Sequence, residues 1–224
     1  MSGWDKVIDN ESHVWRMYLA EINRQARTCK AACGHVLELG DRLRMSQHFS
    51  PSDGEDLGEH VEQAISCAAS LRNLIFGSGQ KPKSKELAPF RADRIAWIQN
   101  LLGNPSLPTI ENVAARNSLE HFDERMDSWA YEWAHRTEDE SGWVGAFDCI
   151  VKSRDSWAIP EVHTAFVRCY IADETVFVVR DDEVHIPTLM KEANAVIQPS
   201  RRFVAEHTAM WKKSGAAPQI IVPL

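Results

Sequence analysis

Arg116, Asn117 and His121 stand together in the run Arg116-Asn117-Ser118-Leu119-Glu120-His121. They carry the groups that metal-free cleavage of a phosphodiester requires. Scission of RNA without a metal needs the ribose 2′-hydroxyl activated, charge on the five-coordinate phosphate neutralised, and the departing 5′-oxygen protonated. An imidazole, with an unperturbed pKa of about 6.5, serves as acid or base near neutrality. A guanidinium is permanently cationic, and its planar fork of donors matches phosphate oxygens. Asn117 lies one helical turn before His121, so it shares a face with the ring and can orient it or bond the ribose or phosphate.

A helix must position these groups. At about 100° per residue, Ala115, Leu119, Phe122, Met126, Trp129 and Trp133 fall on one narrow apolar stripe. Asn117, His121, Glu124 and Ser128 fall on the opposite side, and Arg116 flanks the stripe. His121 thus points away from its own core, which leaves a solvated helix face as the competing reading. Arg116 and His121 are about 140° apart around the helix, so one chain alone would need a long reach. A two-fold pairing of motif helices would line one cleft with arginine and histidine from both chains. The expectation is a homodimer with a composite site.

The surrounding pattern predicts a mainly α chain forming a single domain over 1–224. Helices are expected at about 12–45, 55–76, 91–102 and 110–135. In the first, Met17, Tyr18, Ile22, Ala26, Cys29, Cys33 and Val36 keep helical spacing; in the second, Leu57, Val61, Ala64, Ala68, Leu71 and Ile75 do so. The stretch 50–54 reads as a break between them, and Gly77-Ser78-Gly79 as the end of the second. Ile95, Ile98 and Leu101 mark a short third helix, and Thr109 introduces the fourth. After Glu138-Asp139-Glu140 the pattern turns strand-like, giving a β-containing appendage at 138–186. Within it, segments 144–151, 164–171 and 175–180 are rich in β-branched and aromatic residues, and an antiparallel hairpin is expected over about 164–186. A C-terminal helix over 187–197 should break near Pro199 and resume towards Trp211, with a loose tail at 214–224.

Composition narrows the function classes. Hydrophobic residues make up 44% and charged residues 25%, as in ordinary globular domains. A formal charge of −7 argues against sequence-indifferent coating of nucleic acid, which depends on releasing many counterions. One basic segment, 81–94, sets Lys81, Lys83, Lys85, Arg91 and Arg94 against Glu86 and Asp93. Lys81, Lys83 and Lys85 are candidates to steer a phosphate backbone, against the plainer reading of a soluble loop. Met1-Ser2-Gly3-Trp4-Asp5-Lys6 shows no signal pattern and no run suits a membrane span, so a cytoplasmic protein is expected. Cys29, Cys33, Cys67, Cys149 and Cys169 are scattered, which fits reduced core thiols better than a disulfide framework. No metal site and no cofactor are expected: Cys29 and Cys33 lack further ligands on their face, and the acidic residues near His163 and His185 suit turns. Gly-rich phosphate loops, Gly-x-Ser-x-Gly elbows and His-Glu-x-x-His pairs do not occur.

The segment Arg116-Asn117-Ser118-Leu119-Glu120-His121 resembles the short form of the motif of the HEPN superfamily: arginine, a polar residue, a short spacer, then histidine. The continuation to Arg125 is similar to a bacterial subgroup in which a β-hairpin follows the helical bundle. The resemblance implies a metal-independent endoribonuclease with Arg116 and His121 as catalytic pair and Asn117 as their polar support. It implies products ending in a 2′,3′-cyclic phosphate and a 5′-hydroxyl. It further implies a role in toxin–antitoxin or phage-defence systems, with an antitoxin or nucleotidyltransferase as partner. The alternative it carries is an inactive module that binds nucleotide, RNA or protein. Arg125, one turn from His121, is a further substrate-binding candidate set against Glu120 and Glu124; a purely structural helical protein is the third class.

Overall fold

The computed structural model describes residues 12–45, 50–78, 85, 87–112, 122–135, 143–146, 149–157, 163–179 and 182–213. The chain is mainly helical, as its periodicity predicts, with a small sheet before a long C-terminal helix. Three long helices form the frame: α1 (Ser12–Arg44), α2 (Pro51–Ile75) and α6 (Ile186–Lys213). The shorter α3 (Leu87–Leu101), α4 (Pro108–Glu111) and α5 (Phe122–Ala134) lie between α2 and the strands in sequence.

The frame follows from one spacing. Buried residues recur at alternating steps of four and three along α1 (Trp15, Leu19, Ile22, Ala26, Cys29, Cys33, Val36) and along α2 (Leu57, Val61, Ala64, Ala68, Leu71, Ile75). In α6 the same rhythm gives Ile186, Leu189, Ala193 and Val196. Such stripes pack best between helices that cross at shallow angles, and α1 indeed packs against both α2 and α6. Met17, expected on the stripe of α1, instead faces solvent at 72% exposure, because Trp15 and Leu19 hold the core phase. Trp15 of α1, Trp97 of α3 and Phe203 of α6 close one end, with ring centroids 3.9 and 5.5 Å apart in turn.

Helix ends differ from expectation where local chemistry outweighs periodicity. Ser50-Pro51-Ser52-Asp53 does not merely break the chain; it starts α2, four residues before the expected position. The Ser50 hydroxyl accepts from Asp53 N–H, and the Asp53 carboxylate accepts from Ser50 N–H at 2.7 Å, a reciprocal capping box. α3 likewise begins at Leu87 rather than 91. Pro89 falls in its first turn, where a missing N–H costs nothing. The expected continuous helix over 110–135 is interrupted: α4 ends at Glu111, and Asn112 is extended, with ψ 113°.

Pro199 does not break α6. A proline inside a helix costs about 3 kcal/mol by removing a donor and crowding the preceding turn; the carbonyl left without its N–H here is that of Ala195, and the next two carbonyls of the turn take side-chain donors. Ser200 Oγ donates to Val196 O at 2.7 Å, and Asn23 Nδ2, from α1, donates to Ile197 O at 3.1 Å. Tertiary packing on α1 thus carries the helix through.

Among the described residues six strands precede α6: β1 (Trp143–Ala146), β2 (Cys149–Val151), β3 (His163–Phe166), β4 (Cys169–Ile171), β5 (Val176–Val179) and β6 (Asp182–His185). The expected hairpin is present as the antiparallel pairs β4–β5 and β5–β6. The expected strand 164–171 divides into β3 and β4, and these pair in parallel with β1 and β2 from the expected segment 144–151, Trp143 opposite His163 and Cys149 opposite Cys169. Both pairs keep the same offset, and Arg168, between β3 and β4, takes φ 93°.

The four-stranded sheet β2-β4-β5-β6 is covered on both faces. Tyr170, Phe177, Val179 and Val184 join the helical core, whereas Val151, Ile171, Val176 and Val178 form a smaller cluster on the other side. All of β5 is buried, which explains its unbroken apolar run. The strands therefore share their core with the helices.

Candidate functional site

The motif residues Arg116, Asn117 and His121 lie outside the described residues, as do Lys81 and Lys83. What the structure describes is how the chain is held on either side of the motif.

Upstream, α4 is anchored to the core. Leu107 and Ile110 are buried at 2% and 1% exposure, and Pro108 occupies the first helical turn. Leu107 offers no side-chain cap. Glu192 supplies one from α6: its two carboxylate oxygens accept from Thr109 N–H at 3.0 Å and Ile110 N–H at 2.8 Å. Glu192 is itself only 5% exposed, so a buried carboxylate is matched by two backbone donors and by the positive end of a helical turn. Thr109, expected at the start of the motif helix, is thus held by Glu192 within a separate turn. The signal for this residue was present: Glu192 interrupts the apolar stripe of Leu189, Ala193 and Val196.

Downstream, α5 carries the second half of the predicted amphipathic pattern. Ser128, assigned to the polar side, is exposed, and Met126, assigned to the apolar stripe, is half-buried. Tyr131 is 65% exposed and stacks on His135 with centroids 4.0 Å apart. Arg125 belongs to α5, but its side chain lies outside the described residues.

The basic segment divides by role. Lys85 is exposed ahead of α3. Arg94 is 8% exposed; its Nη1 donates to Leu74 O at 2.6 Å, and its guanidinium lies 5.0 Å from the Tyr18 ring centroid. Burial pushes its pKa down from the usual arginine value. Arg91 Nη1 donates to Ser78 O at 3.4 Å and Arg72 Nη1 to Gly77 O at 2.8 Å. Three guanidiniums therefore satisfy carbonyls at the C-terminal end of α2 and the turn after it, where helices leave acceptors unpaired and favour cations. The turn also needs Gly77, at φ 87°.

Cys29, Cys33 and Cys67 are buried between α1 and α2, and the neighbouring Cys33 together with burial pushes the Cys29 thiol far up. His35 is exposed and stacks on His60 with centroids 4.7 Å apart. His163 and His185 fall in different sheets. Among the described residues, no group of three or more His, Cys, Asp or Glu is placed to hold a metal ion. No helix among them is long and apolar enough to cross a membrane. No protein-family model, curated protein or solved structure matches this chain.

Proposed function

We propose that this chain is a HEPN-like, metal-independent endoribonuclease acting in the cytoplasm as a homodimer, of the kind used in toxin–antitoxin or phage-defence systems. The observation that carries the reading is the spacing of Arg116, Asn117 and His121, in a mainly helical chain. In the proposed reaction the ribose 2′-oxygen attacks phosphorus and the 5′-oxygen leaves. His121 moves the proton, Arg116 neutralises the phosphate, and Asn117 orients the ring or the substrate. Arg125, Lys81, Lys83 and Lys85 would guide the strand, and an antitoxin or nucleotidyltransferase would be the controlling partner.

Purified protein is expected to cut RNA in EDTA, with His121→Ala and Arg116→Ala each abolishing cleavage while the fold is retained. EDTA-sensitive cutting, or full activity in both variants, overturns the reading. The engagement of Arg91 and Arg94 by backbone carbonyls withdraws two cations from the segment expected to steer RNA. It favours, as a second reading, a module of the same fold that binds nucleotide, RNA or protein without cutting. Binding that depends on Asn117 or His121 in an RNase-inactive protein would select that reading.

A further inference from the structure

We propose that Cys149 and Cys169 form a redox dithiol that a small disulfide oxidant of the glutathione type converts into an intrachain disulfide. The two residues are direct partners in the parallel register of β2 and β4, and their Sγ atoms are 2.8 Å apart. Paired strands lie about 4.7–4.9 Å apart, inside the Cα separation of about 4.4–6.8 Å that a disulfide spans. Closing the S–S bond to about 2.05 Å therefore moves the sulfurs by less than an ångström and leaves the ladder in place.

Access decides which thiols react. Cys29 and Cys33 are fully buried and Cys67 is 7% exposed, whereas Cys149 is half-buried at the start of its strand. Cys149 is thus the sulfur that meets the oxidant, and Cys169 resolves the intermediate. As the thiolate, Cys149 attacks one sulfur of glutathione disulfide and displaces a glutathione thiolate, which takes up the proton Cys149 released. Cys169 then loses its proton and attacks Cys149 Sγ, expelling a second glutathione, which is protonated in turn. Two protein thiols lose two electrons, and one glutathione disulfide becomes two glutathiones. The Cys149 thiol beside it and burial push the Cys169 thiol far up, so the resolving step quickens as pH rises. The product ties β2 to β4 and closes the loop holding the 3₁₀ turn Arg154–Trp157 and β3.

The test is incubation of the full chain with glutathione disulfide, acid quench, alkylation, intact mass and peptide mapping. The wild type is expected to lose two hydrogens and yield a Cys149–Cys169 cross-linked peptide. Cys169→Ser should instead accumulate a glutathione adduct on Cys149, and Cys149→Ser should leave Cys169 unmodified. An unchanged wild-type mass, an adduct that persists in the wild type as it does in Cys169→Ser, or a cross-link between other cysteines overturns the proposal.

Discussion

The hydroxyl of Tyr170 is buried against α1 with no hydrogen-bond partner among the described residues. The close approach is made by Gly40, where an added Cβ would stand 2.7 Å from Tyr170 Oη and 2.8 Å from its ring. Gly40 lies inside α1, so its use is this contact and not the ending of a helix. A buried hydroxyl left unpaired costs about 1–3 kcal/mol. Tyr170→Phe is therefore expected to leave stability unchanged or raise it by about 1 kcal/mol in urea denaturation, and a loss beyond about 2 kcal/mol would contradict this. Gly40→Ala should cost about 1–3 kcal/mol by overpacking, and less in the Tyr170→Phe background, because the nearest atom is gone. Burial pushes the Tyr170 pKa up to about 12 from an ordinary value near 10. Between these values the unfolded chain has lost the phenolic proton and the folded chain keeps it, so stability falls as pH rises through that window. Tyr170→Phe should flatten this alkaline fall.

At the scale of elements, two carboxylates organise helix starts. Asp53 is held to a pKa of about 2 by the Ser50 N–H and hydroxyl, with Arg42 assisting. Its contribution is complete above its ordinary value of 3.8 and disappears as pH falls towards about 2. Asp53→Asn should flatten that acid limb of a pH–melting curve, and an unchanged limb would assign it to other carboxylates. Glu192 starts α4 from the opposite side of the chain. Glu192→Leu should leave the Thr109 and Ile110 N–H groups unpaired, at about 1–3 kcal/mol for the buried Ile110 donor and less for the part-buried Thr109 donor. Glu192→Gln keeps an acceptor and should cost clearly less; equal losses would count against the clamp. The long helices were legible because α1, α2 and α6 repeat their buried residues at fixed steps. Capping of α4 by Glu192 and continuation of α6 through Pro199, packed on α1, were not, since each depends on contacts distant in sequence. Parallel pairing of β2 with β4 was hidden for the same reason: strand composition does not encode direction.

At the scale of the whole molecule, the proposed site would draw its residues from two chains. Arg116, Asn117 and His121 lie outside the described residues, and downstream of them Ser128 is exposed and Met126 half-buried, on the sides that the spacing assigns them. Helical spacing carried no sign of the extended Asn112, which ends α4 within the stretch expected to be one helix. If two copies line one cleft, mixing Arg116→Ala with His121→Ala chains should restore part of the cleavage that each lacks alone. A mixture no better than its parents would place each site within one chain. With a net charge of −7, binding of RNA should rest on few phosphate contacts and weaken only gently with salt. The proposed metal-free transesterification is tested most directly by end-group analysis of RNA cut in EDTA. The expected products carry 2′,3′-cyclic phosphates and 5′-hydroxyls that a polynucleotide kinase labels without prior phosphatase; 5′-phosphate ends, or no cutting until a divalent metal is restored, would contradict it.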